Sequence, residues 1–340
     1  MKKILILLFF LIFFTASSVD AIGIEVQPTM FSRSNAQDRV WVGTFQLVWN
    51  DFIDKIIFNP VRFRDGNPIS VQELNKKSFT SEDLSEKSYY KYAGKVGKKT
   101  KKQITKAIKK KFKESSDLLD SLNLTPRNDL LLVYAMLKKD FEFIRPFDKF
   151  GKSIFRENQT AEYFGIDANS APALRNGVEV LFYNSSNDFA VSLLTKDNEN
   201  VILYRNSANK AFKLLYEDLQ KKEKMFNGST RFSSVDELRV PALKFTEEKS
   251  FDELTGRRIM GTNYVISQAL ETIKFGMDYK GVDLKSEAAM TIMTTSLQPD
   301  AQPRFFNFDD TFVVFLKEKD KENPYFALRV HDITKFQSQE

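Results

Sequence analysis

Few side chains in this sequence could carry out catalysis. Its 340 residues include one histidine, His331, and no cysteine. Zinc enzymes use two or three imidazoles and thiolate sites need cysteine, so these counts argue against most zinc enzymes and against any thiolate metal site. A Ser–His–acid triad could use only His331. Because that histidine directly follows a predicted buried strand, we interpret it as a rim residue and expect a protein without enzymatic activity, cofactor or metal.

A second chemical feature is a concentration of positive charge. Residues 95–113 contain ten lysines and no acidic residue. In the helix predicted over residues 100–113, one face carries Lys102, Lys106, Lys109 and Lys113. Like charges at this spacing repel, and an anion would relieve the repulsion. The face is therefore either a solvated surface or a polyanion-binding site. Nucleic acid is the weaker option, because the run has no arginine and Phe112 is its only aromatic residue.

The first residues have the pattern of a secretory signal. A short basic start precedes an apolar run over residues 4–14, and Val19 and Ala21 occupy the positions that a signal peptidase reads. The apolar run is too short to span a bilayer. The sequence predicts a signal peptide over residues 1–21 and a mature chain over 22–340. We expect that chain to be secreted, or periplasmic in a Gram-negative bacterium, and to have no membrane anchor.

The elements that would position these residues divide the chain unevenly. Apolar spacing predicts helices over residues 45–56, 81–92 and 100–113, a loop over 61–80, and a later helix with Phe212, Leu215, Tyr216 and Leu219 on one face. Strands are predicted over 130–137, buried on both faces, over the hairpin 178–183 and 189–194, and over 237–245, 272–279, 305–308, 311–316 and 325–330. Helices early and strands late, with no linker, predict a single α+β domain over residues 22–340.

Several segments resemble one family. Residues 306–316, Phe-Asn-Phe-Asp-Asp-Thr-Phe-Val-Val-Phe-Leu, resemble the C-terminal signature of the serpins except at Asp310. Residues 325–330, Tyr-Phe-Ala-Leu-Arg-Val, resemble the closing strand of that family, with Leu328 in place of glycine. Residues 240–245 resemble its Leu-Pro-Lys-Phe strand, and residues 131–135 with 145–148 resemble the third strand of its sheet A. The resemblance covers most of the mature chain and is weaker before residue 130.

The resemblance implies a serpin-like α+β fold. That fold has a large central sheet A, two smaller sheets, helices mainly from the N-terminal half, and an exposed reactive-centre loop near residues 284–304. One departure stands out: only about 15 residues separate the basic helix from residue 130, where the family has two more helices and two strands. Either these elements are absent or the N-terminal half follows a different register.

The resemblance also implies a function, a suicide-substrate trap for a serine or cysteine protease. The loop hinge corresponds to Ser286, Glu287, Ala288 and Ala289. Ser286, Ala288 and Ala289 are small, which suits insertion as a strand because alternate side chains must pass between neighbours. The candidates for the scissile bond are Leu297, Gln298, Pro299 and Asp300. Leu297 is preferred, since it suits a chymotrypsin- or elastase-like pocket and proline resists cleavage.

A non-inhibitory role is the alternative. The basic helix resembles the family's fourth helix, which binds polyanions in several members. A serpin-fold binding protein that recognises a sulfated glycan, another polyanion or a protein partner is therefore the second interpretation, and we expect a monomer in either case.

Overall fold

The computed structural model describes residues 23–116, 118–119, 122, 124, 131–282 and 302–337. Within them, four α-helices and seventeen strands form an α+β fold, as the sequence predicted. The helices are α1 (Thr44–Phe52), continued by a π-helical turn (Ile53–Ile57), α2 (Ile69–Leu74), α3 (Thr100–Phe112) and α4 (Phe212–Met225).

The early strands are β1 (Glu25–Gln27), β2 (Arg39–Val42), β3 (Tyr89–Lys95), β4 (Leu131–Leu137), β5 (Phe141–Glu142), β6 (Asp148–Phe155), β7 (Gln159–Ile166), β8 (Val178–Ser185) and β9 (Asp188–Leu194). The later strands are β10 (Glu199–Arg205), β11 (Glu237–Pro241), β12 (Leu243–Ser250), β13 (Leu270–Met277), β14 (Gly281–Val282), β15 (Phe305–Asn307), β16 (Phe312–Glu318) and β17 (Phe326–Val330).

One large sheet of seven strands organises the fold. Its order is β1-β2-β17-β16-β10-β9-β8, and only the β1–β2 pair is parallel. The predicted hairpin β8–β9 and the C-terminal strands β16 and β17 lie in it. Strand β17 is buried at every residue, because both faces of the sheet are covered.

Helix α4 covers one face of this sheet. The predicted apolar face is confirmed, since Phe212, Leu215, Tyr216 and Leu219 are buried. The rings of Phe212 and Tyr216 meet Phe315 of β16 edge to face, with centroids 6.5 and 5.2 Å apart. These aromatic contacts fix the helix on the sheet.

A second sheet has four strands in the order β15-β11-β7-β6. Gly165 in β7 is required there: its φ is +156°, and a Cβ would lie 1.9 Å from the carbonyl oxygen of Leu238. Only glycine permits this close approach of two backbones. Three further pairs, β3–β4, β12–β13 and β5–β14, complete the described sheets.

The structure corrects several local predictions. Residues 81–92 are not a helix: two 3₁₀ turns (Ser81–Asp83 and Glu86–Ser88) lead into strand β3. The start of β3, Tyr89-Tyr90-Lys91-Tyr92, is rich in the aromatic residues that favour strands. The predicted loop over 61–80 contains helix α2.

Other predictions hold in part. Strand β4 is found where it was predicted, but only three of its seven residues are buried, so its burial on both faces was wrong. Strands β6, β7 and β10 had not been predicted. Strands β6 and β7 mix polar residues with apolar ones, and tertiary pairing decides such segments.

Candidate functional site: a cleft between two strands

A cleft of about 720 Å³ separates strand β4 from strand β13. One wall is the second half of β4 with residues 138–140, and the other is formed by residues 272–278. Leu316, Tyr325 and Phe326 of the large sheet also line it. We call this space the interstrand cleft. Its floor is the large sheet, and residues 134–140 form the wall on the β4 side.

Within the described residues, each wall of the cleft is paired on one side only. Strand β4 pairs with β3 and β13 pairs with β12, and no ladder of described strands joins β4 to β13. A strand has two hydrogen-bonding edges, so the second edge of each wall has no paired strand in the described part of the chain. The arrangement can accept an added strand.

The cleft is closed where both walls end. Strand β4 leads into β5, strand β13 leads through a turn into β14, and β5 pairs with β14. Gly281 makes this closure possible, because its φ is +151° and a Cβ would lie 2.4 Å from the carbonyl oxygen of Phe141. The ends of both strands therefore meet at one junction, and Val282, the last residue described there, lines the cleft.

Aromatic residues form the apolar base of the cleft. Phe275 of β13 stacks on Phe326 of β17, with ring centroids 4.7 Å apart and planes at 15°. Phe245 packs against both Phe275 and Phe336, at 5.7 and 5.6 Å. An inserted strand would bury apolar side chains on this base, and burial of apolar surface is the main favourable term in such packing.

A buried ionic cluster lies at the rim of the cleft. Lys139, between β4 and β5, forms ion pairs with Glu199 of β10 and Glu318 of β16. These two carboxylates belong to Cα partners on neighbouring strands. The side chains of Lys139, Glu199 and Glu318 are only 9%, 6% and 1% exposed. We call these three residues the Lys139 cluster; it joins the residues that follow β4 to the end of the large sheet.

Hydrogen bonds complete the Lys139 cluster. The hydroxyl of Tyr325 donates to Glu199 at 3.0 Å, and the backbone N–H and hydroxyl of Ser85 donate to Glu318 at 3.1 and 2.6 Å. Burial raises the pKa of Glu199 even though Lys139 opposes this rise. Burial acts in the same direction on Glu318, but hydrogen bonds from Lys139 and Ser85 lower its pKa overall. The lysine therefore holds two carboxylates that would otherwise repel each other.

The predicted loop residues lie outside the described residues. This applies to the hinge residues Ser286, Glu287, Ala288 and Ala289 and to the scissile-bond candidates Leu297, Gln298, Pro299 and Asp300. On the C-terminal side of the predicted loop, the chain is anchored at Arg304, whose Nη2 atom lies 2.7 Å from the carboxylate of Asp236. The guanidinium of Arg304 also donates to the carbonyls of Ser229 and Arg231, both at 2.7 Å.

The basic helix is found as α3. Lys102, Lys106, Lys109 and Lys113 are exposed, and among the described residues none of them forms an ion pair within 4.0 Å. Lys113 stands just past the helix, in the left-handed conformation with φ of 61°. Ile104 and Ile108 on the opposite face are fully buried.

The topology around α3 shows that the N-terminal half follows a different register from the one that the resemblance suggested. Strand β3, which pairs with β4, precedes α3 in the chain. The resemblance had placed two strands between the family's fourth helix and the strand matched to β4. Because the partner strand comes before the basic helix, α3 does not occupy the position of that fourth helix. The resemblance no longer supports a polyanion site on α3, and only the exposed charge does.

The remaining catalytic candidate, His331, makes local contacts. Its Nδ1 lies 2.8 Å from the hydroxyl of Thr311, and the guanidinium of Arg156 lies against its ring. Burial and the charge of Arg156 lower its pKa. In the described ranges no group of three or more His, Cys, Asp or Glu residues is arranged to hold a metal. None of the described helices is long and apolar enough to cross a membrane.

Sequence reasoning identified some of these features and missed others. It placed strands near β4 and β13, and the resemblance implied insertion of the loop as a strand, but no residue pattern located the cleft between these two strands. It also missed the Lys139 cluster, whose ion pairs join residues 60 and 179 positions apart. No local signal distinguishes Lys139 from Lys138, so only the fold could have revealed it.

Comparison with known proteins finds similar solved structures. No family model matches the chain, and no curated protein does so. The similar structures include a serpin and thyroxine-binding globulin. One is Serpin48 from the insect Tenebrio molitor, with 15% identity, a TM-score of 0.41, and coverage of 79% of this chain and 73% of that chain.

Another is human thyroxine-binding globulin with thyroxine, with 13% identity, a TM-score of 0.44, and coverage of 78% of this chain and 81% of that chain. A further thyroxine-binding globulin structure has 15% identity, a TM-score of 0.41, and coverage of 74% and 78%. The first is described as a highly specific serpin and the others as complexes with thyroxine.

Proposed function

We propose that this chain is a secreted serpin-like protease inhibitor that traps its target by loop cleavage and insertion. The loop near residues 284–304 would be cut by a serine or cysteine protease and would then enter the interstrand cleft as a new strand. The observation that carries this proposal is the cleft itself, in which no described strand lies between the neighbouring strands β4 and β13. A strand inserted between β4 and β13 could form hydrogen bonds with both of them.

The physical drive for insertion comes from the two environments of the loop. Outside the fold its backbone groups bond to water, whereas in the cleft they would bond to β4 and β13 on both sides. Alternate side chains would be buried on the base formed by Phe275 and Phe326. Before cleavage the loop is tethered at Val282 and at Arg304, so the intact form persists for kinetic reasons.

The roles of the loop residues follow from this proposal. Ser286, Glu287, Ala288 and Ala289 would enter the cleft first, since the hinge directly follows the β14 end of the cleft. Among Leu297, Gln298, Pro299 and Asp300, we place the scissile bond after Leu297, whose side chain suits a chymotrypsin- or elastase-like pocket. The bond before Pro299 would resist such proteases.

Limited proteolysis tests the proposal. The mature protein is treated with elastase and with chymotrypsin, and the products are followed by intact mass and thermal melting. We expect one early cut between residues 295 and 302, followed by a higher melting temperature or by a covalent adduct with the protease that survives detergent. A cut there that leaves the melting temperature unchanged or lower, with no adduct, would contradict loop insertion.

The second candidate function is a non-inhibitory serpin-fold binding protein that recognises a sulfated glycan or another polyanion. The exposed side chains of Lys102, Lys106, Lys109 and Lys113, which form no ion pair with the described residues, favour it. We expect the variant with Lys102, Lys106, Lys109 and Lys113 changed to glutamine to elute from immobilised heparin at lower salt than wild type. The matched control changes four other exposed lysines, Lys152, Lys210, Lys221 and Lys224. Equal losses in both variants would mean that only net charge matters.

A further inference from the structure

One carboxyl group is enclosed in the fold without a partner. Glu271, the second residue of β13, is 4% exposed. Both of its carboxyl oxygens are closed to solvent, and neither has a hydrogen-bond partner in the described part of the chain. A buried carboxylate without partners is costly, whereas the neutral acid costs much less. This enclosure therefore favours the protonated form of Glu271.

The start of helix α1 packs over this end of β13. The rings of Phe45 in α1 and Phe251 have centroids 4.2 Å apart. The backbone N–H of Phe251 donates to the carbonyl of Ala269 at 2.8 Å, two residues before Glu271. The backbone N–H of Phe45 acts on the Glu271 carboxyl without meeting the geometry of a hydrogen bond. Glu271 therefore lies beside the first turn of α1, at the end of β13 opposite the β14 junction.

The charged groups around Glu271 do not contact its carboxyl. Its Cα partner on β12 is Lys249, which is half-buried and has no ion pair within 4.0 Å among the described residues. The acidic residues on the surrounding elements are Glu25 on β1, Glu247 on β12, Asp252 and Glu253 in the connection to β13, and Asp51 on α1. An ionised Glu271 would thus gain no described counter-charge in direct contact.

Burial has a measurable consequence for this group. It raises the pKa of Glu271 from its ordinary value of 4.5 to about 8, and the backbone of Phe45 opposes this rise only in part. Between these two values the folded protein keeps a proton that the unfolded chain has already lost. The contribution of Glu271 to stability is therefore complete below the lower value and declines as the pH rises towards the upper one.

We propose that the proton on Glu271 is a latch that keeps the start of β13 against α1 and so holds one wall of the interstrand cleft in place. Once the proton is lost, the carboxylate can be hydrated only if β13 separates from α1. Thr272, the next residue, and Thr44 of α1 both line the cleft, so this separation would widen the cleft at the end opposite the β14 junction. The latch belongs to the intact fold and does not depend on loop cleavage.

Thermal melting at about pH 5 and pH 9 tests the latch, with Glu271→Gln as a variant that cannot ionise. Between these pH values we expect wild type to lose about 5–10 °C more than Glu271→Gln. Glu248→Gln is the matched control and should behave as wild type, since Glu248 is exposed on the same hairpin, opposite Thr272. Glu271→Met, apolar and of similar size, should also lack the extra loss and serves if Glu271→Gln does not fold.

Hydrogen exchange locates the effect. At the higher pH the amides of residues 270–277 should exchange about tenfold faster in wild type than in Glu271→Gln, whereas those of α4 should exchange equally in both. A melting difference without this local change would make Glu271 a structural group and would overturn the latch.

Two melting results would also overturn the proposal. One is an equal pH dependence in wild type, Glu271→Gln and Glu271→Met. The other is a smaller loss in wild type than in Glu271→Gln at the higher pH. Glu271 would then be ionised and paired, with Lys249 as the available cation.

Discussion

Cleavage of the loop is expected to leave the melting temperature of an Ala288→Pro variant unchanged, whereas cleaved wild-type protein should melt about 10 °C higher or more. Insertion adds a strand between two others, and proline cannot donate to a ladder in the interior of a sheet. Ala288 belongs to the proposed hinge, which must enter the cleft first. The variant loop should still be cut, but it should not insert.

The comparison needs a variant that changes Ala288 without removing its N–H. Ala288→Ser keeps a small side chain and a normal backbone donor, so its cleaved form should gain stability as wild type does. Intact mass would first confirm that all three proteins are cut at the same bond. If cleaved Ala288→Pro melted as high as cleaved wild type, the added stability would not come from insertion of the hinge.

Replacing Lys139 by methionine should lower the free energy of unfolding by about 3–5 kcal/mol. The change leaves Glu199 and Glu318 facing each other with no counter-charge, and both are almost completely buried. The loss should be measured by chemical denaturation. Lys138→Met provides the matched control. The side chain of this neighbouring lysine is 17% exposed and pairs with Glu114 and Asp140, which are 50% and 24% exposed and so keep contact with water when the lysine is removed. Pairs with solvated carboxylates contribute about 1 kcal/mol or less each, so the control should lose less stability than Lys139→Met.

The pH dependence of Lys139→Met identifies the cause. A carboxyl whose pKa is raised in the folded state costs nothing below its unfolded pKa, and it costs progressively more as the pH rises through that value. Burial already raises the pKa of Glu199, so the deficit should be larger at pH 8 than at pH 5. Adding Glu318→Gln should restore part of the stability. A deficit that is independent of pH would indicate lost packing and not unpaired charge.

Local patterns identified the elements that have a strong period or a strong composition. The prediction succeeded for helices α3 and α4 and for the C-terminal strands β16 and β17. The spacing of apolar residues within each of these elements indicates which side is buried. Strand β3 was mistaken for a helix, and β6, β7 and β10 were missed. The residues of β3 and β10 favour a strand locally, through the tyrosines of β3 and the Val-Ile-Leu-Tyr run of β10. Strands β6 and β7 mix polar with apolar residues, so their own composition does not identify them and tertiary pairing decides their state.

The sequence by itself determined the α+β class, the resemblance to serpins, the basic face of α3 and the position of a candidate hinge. Only the tertiary structure decided that β4 and β13 stand apart, with no described strand between them, and that the partner strand of β4 is β3, which precedes α3. It also brought Lys139 to two carboxylates and buried Glu271 without a hydrogen-bond partner among the described residues. The reason is physical: pairing and ion contacts join residues far apart in the chain, and whether a charge is costly depends on burial and partners that the fold creates.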